Sequence, residues 1–119
     1  MDIKKKLKIE SFANISLVNF PKGMDLGIKP AKDKIEVLIY YIDAIGDVEA
    51  FVNLSNRTEL PEENRTIIVF KKGRKDGVDR DTIIAPFRNG KYSNFKLKAP
   101  MFCALSDKLS AFVMTKIEA

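Results

Sequence analysis

Apolar and polar residues alternate in short runs along this chain, and turn residues separate the runs. Alternation with a period of two is the mark of a half-buried strand. Leu7 and Ile9 alternate with Lys6, Lys8 and Glu10, which predicts an edge strand with its lysines outward. Ile15 and Leu17 alternate with Asn14 and Ser16, and Phe20-Pro21-Lys22-Gly23 reads as a turn. Met24, Leu26 and Ile28 then alternate until Pro30 ends the run. Val48, Ala50, Val52 and Leu54 alternate with Glu49, Phe51, Asn53 and Ser55. Two segments, IEVLIYYI at 35–42 and TIIVFKK at 66–72, are apolar on both alternating faces. Strands covered on both sides read this way, and 66–72 belongs in the middle of a sheet.

Further on, 82–88 and 91–98 flank Asn89-Gly90. Asn-Gly between two such runs predicts a hairpin, because both turn residues must accept positive φ. Its register pairs Phe87 with Tyr92 and Ile84 with Phe95, and sets Ile84, Phe95 and Leu97 on the core side. A last pair, 101–106 and 109–117, flanks Asp107-Lys108. About eight short strands of this kind predict a mostly antiparallel all-β fold, a β-sandwich or a small barrel. Two segments stay open to a helical reading. Asp33 to Glu36 has capping-box spacing ahead of 34–45, and Leu105, Leu109, Phe112 and Val113 share one helical face within 101–117. The predicted core is Ile15, Leu17, Ile35, Val37, Ile39, Val52, Leu54, Ile68, Phe70, Ile84, Phe95, Leu97 and Val113. The 119 residues suit a single domain over 1–119, with 1–10 as an edge strand or an N-terminal arm.

Composition removes several chemistries. There is no histidine, so no Ser-His-Asp or Cys-His nucleophile activation is open to the chain. One cysteine excludes an internal disulfide, and with no histidine it argues against a structural zinc. Cys103 sits in PMFCALS and reads as a buried, inert thiol. Neither GxxxxGK[ST] nor GxGxxG occurs. Ser93 and Lys96 match S-x-x-K, but without the partner motifs of serine acylases. Asp76, Asp79 and Asp81 lack the spacing of a calcium loop and read as a solvated turn. No cofactor, metal or catalytic residue is expected. The opening MDIKKKLKIESF lacks the continuous apolar stretch of a secretory signal, and no run approaches a membrane span, so a cytoplasmic protein is expected, a host's cytoplasm included.

Charge adds the last feature. The formal net charge is +5, and residues 71–98 alone hold nine basic and three acidic groups. In the hairpin register Phe87, Tyr92 and Lys96 share the face opposite the core. Rings interleaved with lysines suit single-stranded nucleic acid, since bases stack on rings while lysines meet phosphates. A nucleic-acid-binding barrel would use Lys71, Lys72, Arg74, Lys75, Phe87, Arg88, Lys91, Tyr92, Lys96 and Lys98. The favoured expectation is different: a non-catalytic structural or assembly subunit that binds protein partners or itself, with a virion or phage-tail component as the specific analogy. Its contact would be the N-terminal arm. Lys4, Lys5 and Lys6 face water there, while Leu7 and Ile9 need cover that a neighbour's sheet can supply.

Overall fold

In a computed structural model the described residues form one five-stranded mixed sheet with helices, which overturns the expected sandwich or barrel. The structure describes residues 3–24, 28, 34–92 and 95–117, with side chains left aside at 3 and 96–100. The elements run α1 (Ile3–Lys6), β1 (Ile15–Val18), β2 (Val37–Ile42), α2 (Asp47–Arg57), β3 (Arg65–Lys71), α3 (Arg80–Arg88), β4 (Phe95–Ala104) and β5 (Leu109–Lys116). The strand order is β1-β2-β3-β5-β4. β1, β2 and β3 are parallel, with Ile15 beside Val37 and Val37 beside Arg65. β5 returns antiparallel to β3, and β4 pairs antiparallel with β5.

The two both-faced apolar runs are the parallel strands β2 and β3. They lie side by side inside the sheet, and all six residues of β2 are buried. Their side chains feed two cores. Val37, Ile39, Tyr41, Ile67, Val69, Ala111 and Val113 point to one face, where Leu7, Ile9, Phe12 and Ile28 cover them. Tyr40, Ile42, Ile68, Phe70, Phe112 and Met114 point to the other, under α2 and α3. Of the predicted core, Leu17, Ile35 and Leu54 are only partly buried, and the side chain of Leu97 lies outside the described residues. The other nine are buried.

Three segments read as strands are helical. The run at 48–54 is α2, and Val48, Phe51, Val52 and Ser55 form its buried face at helical spacing. The strand reading had set Phe51 among the polar positions. The run at 82–88 is α3, so the Asn-Gly hairpin does not exist. Asp79 caps α3, its side chain accepting a hydrogen bond from the Thr82 N–H at 2.8 Å. Asn89 ends it, and Gly90 at φ +82° carries the chain out while the Lys91 N–H bonds the Pro86 carbonyl. That is the left-handed helix stop, which requires the same positive φ as the hairpin turn. The N-terminal edge strand is likewise replaced, by the single turn α1. The two segments open to a helical reading, 34–45 and 101–117, carry strands instead. The strand expected at 24–28 falls largely outside the described residues. Among the described residues no helix is long and apolar enough to cross a membrane.

Candidate functional site

In α/β sheets the carboxyl ends of parallel strands are the usual place for a ligand. Here β1, β2 and β3 end at a cluster of polar residues. Asp47, in the first turn of α2, accepts hydrogen bonds from the Asp43 and Ala44 N–H groups at 2.9 and 3.0 Å. Asn19, at φ +64°, donates from Nδ2 to the Tyr41 carbonyl at 2.9 Å. Arg74 leans across from the loop after β3. It donates from Nε to Asp76 Oδ1 at 3.1 Å, from Nη2 to Asp76 Oδ2, and from Nη1 to the Asp43 carbonyl. The cluster thereby ties the 72–79 loop onto the end of β2, and its polar groups are spent on one another.

The hydrogen bond from Arg74 holds the Asp76 carboxyl below its usual pKa. A carboxylate whose folded pKa is depressed contributes stability above its unfolded pKa, and that contribution is lost as pH falls through the folded value. Acid titration of the wild type is therefore expected to loosen the 72–79 loop below the ordinary carboxylate range. In Arg74→Ala the loop is expected to be loosened already at neutral pH, with that acid-dependent step reduced. Amide exchange at 73–78 across pH reads both.

Tyr41 lies in the first core with its ring centroid 5.5 Å from that of Phe20. Its hydroxyl is buried and has no hydrogen-bond partner among the described residues. Burial, and secondarily the Asp43 charge, push its pKa up. An orphaned buried hydroxyl costs its desolvation without return. Tyr41→Phe is expected to raise the unfolding free energy by about 1 kcal/mol, read by urea denaturation. A loss of similar size would reveal a partner for the hydroxyl.

The structure scatters the basic stretch. Lys71, Lys72, Arg74 and Lys75 stand at the carboxyl edge. Phe87 is 2% exposed inside the second core, with Phe51, Tyr92 and Phe95 around it. Tyr92 packs on Phe87 with centroids 5.0 Å apart, and Lys91 Nζ lies 5.5 Å from the Tyr92 centroid. Arg88 is exposed on α3. Lys96 and Lys98 belong to β4, with side chains outside the described residues. A base cannot stack on Phe87, because that ring is core. The shared face inferred for Phe87, Tyr92 and Lys96 depended on a hairpin that is absent.

The N-terminal residues are equally committed. Leu7 and Ile9 are 0% exposed in the first core. Lys6 Nζ donates to the Ala104 carbonyl at 3.2 Å, and Cys103 Sγ to the Lys6 carbonyl at 3.4 Å. Lys4 and Lys5 are exposed beside them. An arm that added to a neighbour would first have to leave its own core. The Cys103 thiol is part-buried, and burial raises its pKa against the opposing effect of Lys6 and Lys8.

The β4 margin is a feature that periodicity did not single out. β4 ends the sheet and pairs only with β5 among the described residues. Phe102 on this strand is 42% exposed, its ring tilted against Phe112 with centroids 5.3 Å apart and the Arg80 guanidinium 5.3 Å from its centroid. A groove of about 330 Å³ runs along α3 from Asp81, the residue after Arg80, and is lined by Asp81, Ile84, Ala85, Arg88 and Asn89. The segment PMFCAL does carry a signal for Phe102. Alternation puts it on the face opposite Met101 and Cys103, but no sequence rule says that this face lies at a margin. A second cleft, of about 390 Å³, opens at the amino end of β1 and β2 between Asn14, Glu36 and Leu60. Glu36 is already used there, accepting from the Ala13 and Asn14 N–H groups at 3.0 Å each. The chain matches no family model, and no curated protein is similar to it in sequence.

Proposed function

We propose that this domain is a non-catalytic protein-interaction subunit that works by docking to a partner protein. The observation that carries this reading is the open β4 edge with half-exposed Phe102 upon it. A terminal strand offers unpaired N–H and C=O groups, which proteins either blunt or use. A large ring left half in water at such an edge is the kind of residue that anchors interfaces. The carboxyl edge supports the same reading from the other side. Its Arg74, Asp43, Asp47 and Asn19 are engaged with the chain's own backbone and with each other. The analogy to virion and tail components leaned on a sandwich of many short strands, and it is dropped with that fold.

The test is isolation of the native protein under mild conditions, with mass measurement of the intact species before and after nuclease treatment. The reading expects a stoichiometric protein complex that nuclease leaves whole. A monomer at its cellular concentration, or an assembly that nuclease disperses, contradicts it.

A further inference from the structure

We infer that the β4 margin receives an acidic, extended segment of a partner protein, added as a further strand beside β4 with side chains seated in the groove along α3. This deepens the protein-interaction reading and rests on it.

The geometry of α3 places the groove. At about 3.6 residues per turn, Ile83 and Phe87 mark one flank of the helix, while Ile84, Arg88, Asp81 and Ala85 spread from about a sixth to nearly half of a turn round from Phe87. Phe87 meets Phe51 of α2 at 6.4 Å, so its flank faces the neighbouring helix. The same ring meets Phe95 of β4, so that flank faces inward, and the groove opens on the outer flank of α3, beginning at Asp81 next to the Arg80 that sits over Phe102. Two contacts fix how helix and strand lie together. Arg80, at the start of α3, sits over Phe102 near the end of β4. Phe87, at the end of α3, meets Phe95 at the start of β4, 5.5 Å between centroids. Helix and strand therefore run in opposite directions, with the groove on the outer flank of the helix.

Strand addition needs a regular edge. The register against β5 is broken between Lys96 and Met101, then runs Met101 to Val113, Phe102 to Phe112 and Cys103 to Ala111. An irregular register blunts an edge against random pairing, and the shift between Lys96 and Met101 falls in the first part of β4. Residues 101–103 remain as the regular edge. At Ala104 the carbonyl is already taken by Lys6 Nζ. An added strand places alternate side chains on the α3 side, beside Phe102 and in the groove over Ile84 and Ala85.

Charge selects the occupant. Residues 79–104 contain five basic groups (Arg80, Arg88, Lys91, Lys96, Lys98) and two acidic ones (Asp79, Asp81). Arg88 lines the groove and is exposed, and Lys91 is exposed three residues further on. A segment rich in Asp or Glu is drawn to this margin, whereas a second copy of this chain, at net +5, brings the same charge to it.

The experiment uses the full chain and a fluorescent peptide of alternating valine and glutamate. A valine–lysine peptide and a labelled oligothymidylate serve as comparisons, with binding read by anisotropy. Two variants probe the site. Ala85→Arg fills the groove without removing positive charge, and Arg88→Glu reverses the charge. Both positions are exposed, so thermal melting should be unchanged in each. The acidic peptide is expected to bind the wild type, and each variant to bind it at least about tenfold more weakly. Four results overturn the assignment: no saturable binding of the acidic peptide, equal binding of the lysine peptide or oligothymidylate, unchanged affinity in both variants, or a wild-type dimer that Ala85→Arg disperses. If the native complex forms undiminished with both variants, the domain still docks to protein and this margin is not where.

Discussion

Replacing Phe51 by alanine is expected to lower the unfolding free energy by about 3–5 kcal/mol. Phe51 is 0% exposed at the centre of the second core. Its centroid lies 5.8 Å from Tyr40 of β2, 6.4 Å from Phe87 of α3 and 5.6 Å from Phe95 of β4. One ring thus joins the parallel part of the sheet to the helix and strand of the β4 margin. The hole left by alanine is bordered by other rings on several sides, which limits how far the site can collapse. Urea denaturation of Phe51→Ala beside Asn53→Ala, an exposed neighbour on α2, separates burial from helix propensity. The neighbour should change stability by less than about 0.5 kcal/mol. Equal effects at the two positions would mean that 47–57 does not pack as this helix.

Asn64→Ala should cost about 3 kcal/mol, although it removes almost no apolar surface. Asn64 is 1% exposed just ahead of β3. Its Oδ1 accepts from the Lys116 N–H at 3.0 Å and from Thr66 Oγ1 at 3.1 Å. Its Nδ2 donates to the Lys116 carbonyl at 3.1 Å and to the Pro61 carbonyl at 2.8 Å. The side-chain amide thus pairs with both backbone groups of Lys116, as a strand residue would, and extends the β3–β5 ladder by one step. Alanine leaves those backbone groups unpaired in a mostly buried site, and each orphan adds its desolvation penalty. Asn64→Asp keeps the size and the acceptors but loses both donors, so it should also destabilise. Faster amide exchange at Lys116 in both variants would localise the loss. A cost under about 0.5 kcal/mol in Asn64→Ala would mean that water replaces the amide.

Some of this architecture is legible in the sequence, and the division has physical causes. VLIYYI and TIIVF declare central strands because their apolar residues leave no polar face for water. The β4–β5 hairpin is legible because strand signals flank Asp107-Lys108. Where the reading goes astray, two periods fit the same residues. Val48, Val52 and Leu54 satisfy alternation, but Val48, Phe51, Val52 and Ser55 satisfy the helical period better once Phe51 is counted as core. Asn89-Gly90 is ambiguous at the level of one dihedral angle, since the hairpin and the helix stop both require positive φ at glycine. Asp79, read as part of a solvated turn, is instead the N-cap of the helix, and its bond from the Thr82 N–H is formed. Leu7 and Ile9 were read as apolar residues on one side, and that is how they pack. What alternation could not supply is that α1 and the left-handed Lys8, not a strand, bring both into the core. The β4 margin was out of reach for a further reason. Whether Phe102 lies over the core or beside an open edge depends on strand order, and a single sequence does not encode strand order in any local pattern.

Amide hydrogen exchange on the native complex, compared with the isolated chain, is the measurement that bears most directly on the account. Backbone pairing with a partner strand slows exchange at outward-facing amides of β4 and leaves amides distant from the contact unchanged. The account predicts new protection within 101–103 and along the outer flank of α3, with 73–78 at the carboxyl edge exchanging as before. Protection confined to 73–78, or to the N-terminal residues 4–9, with β4 unchanged, would place the partner elsewhere and contradict it.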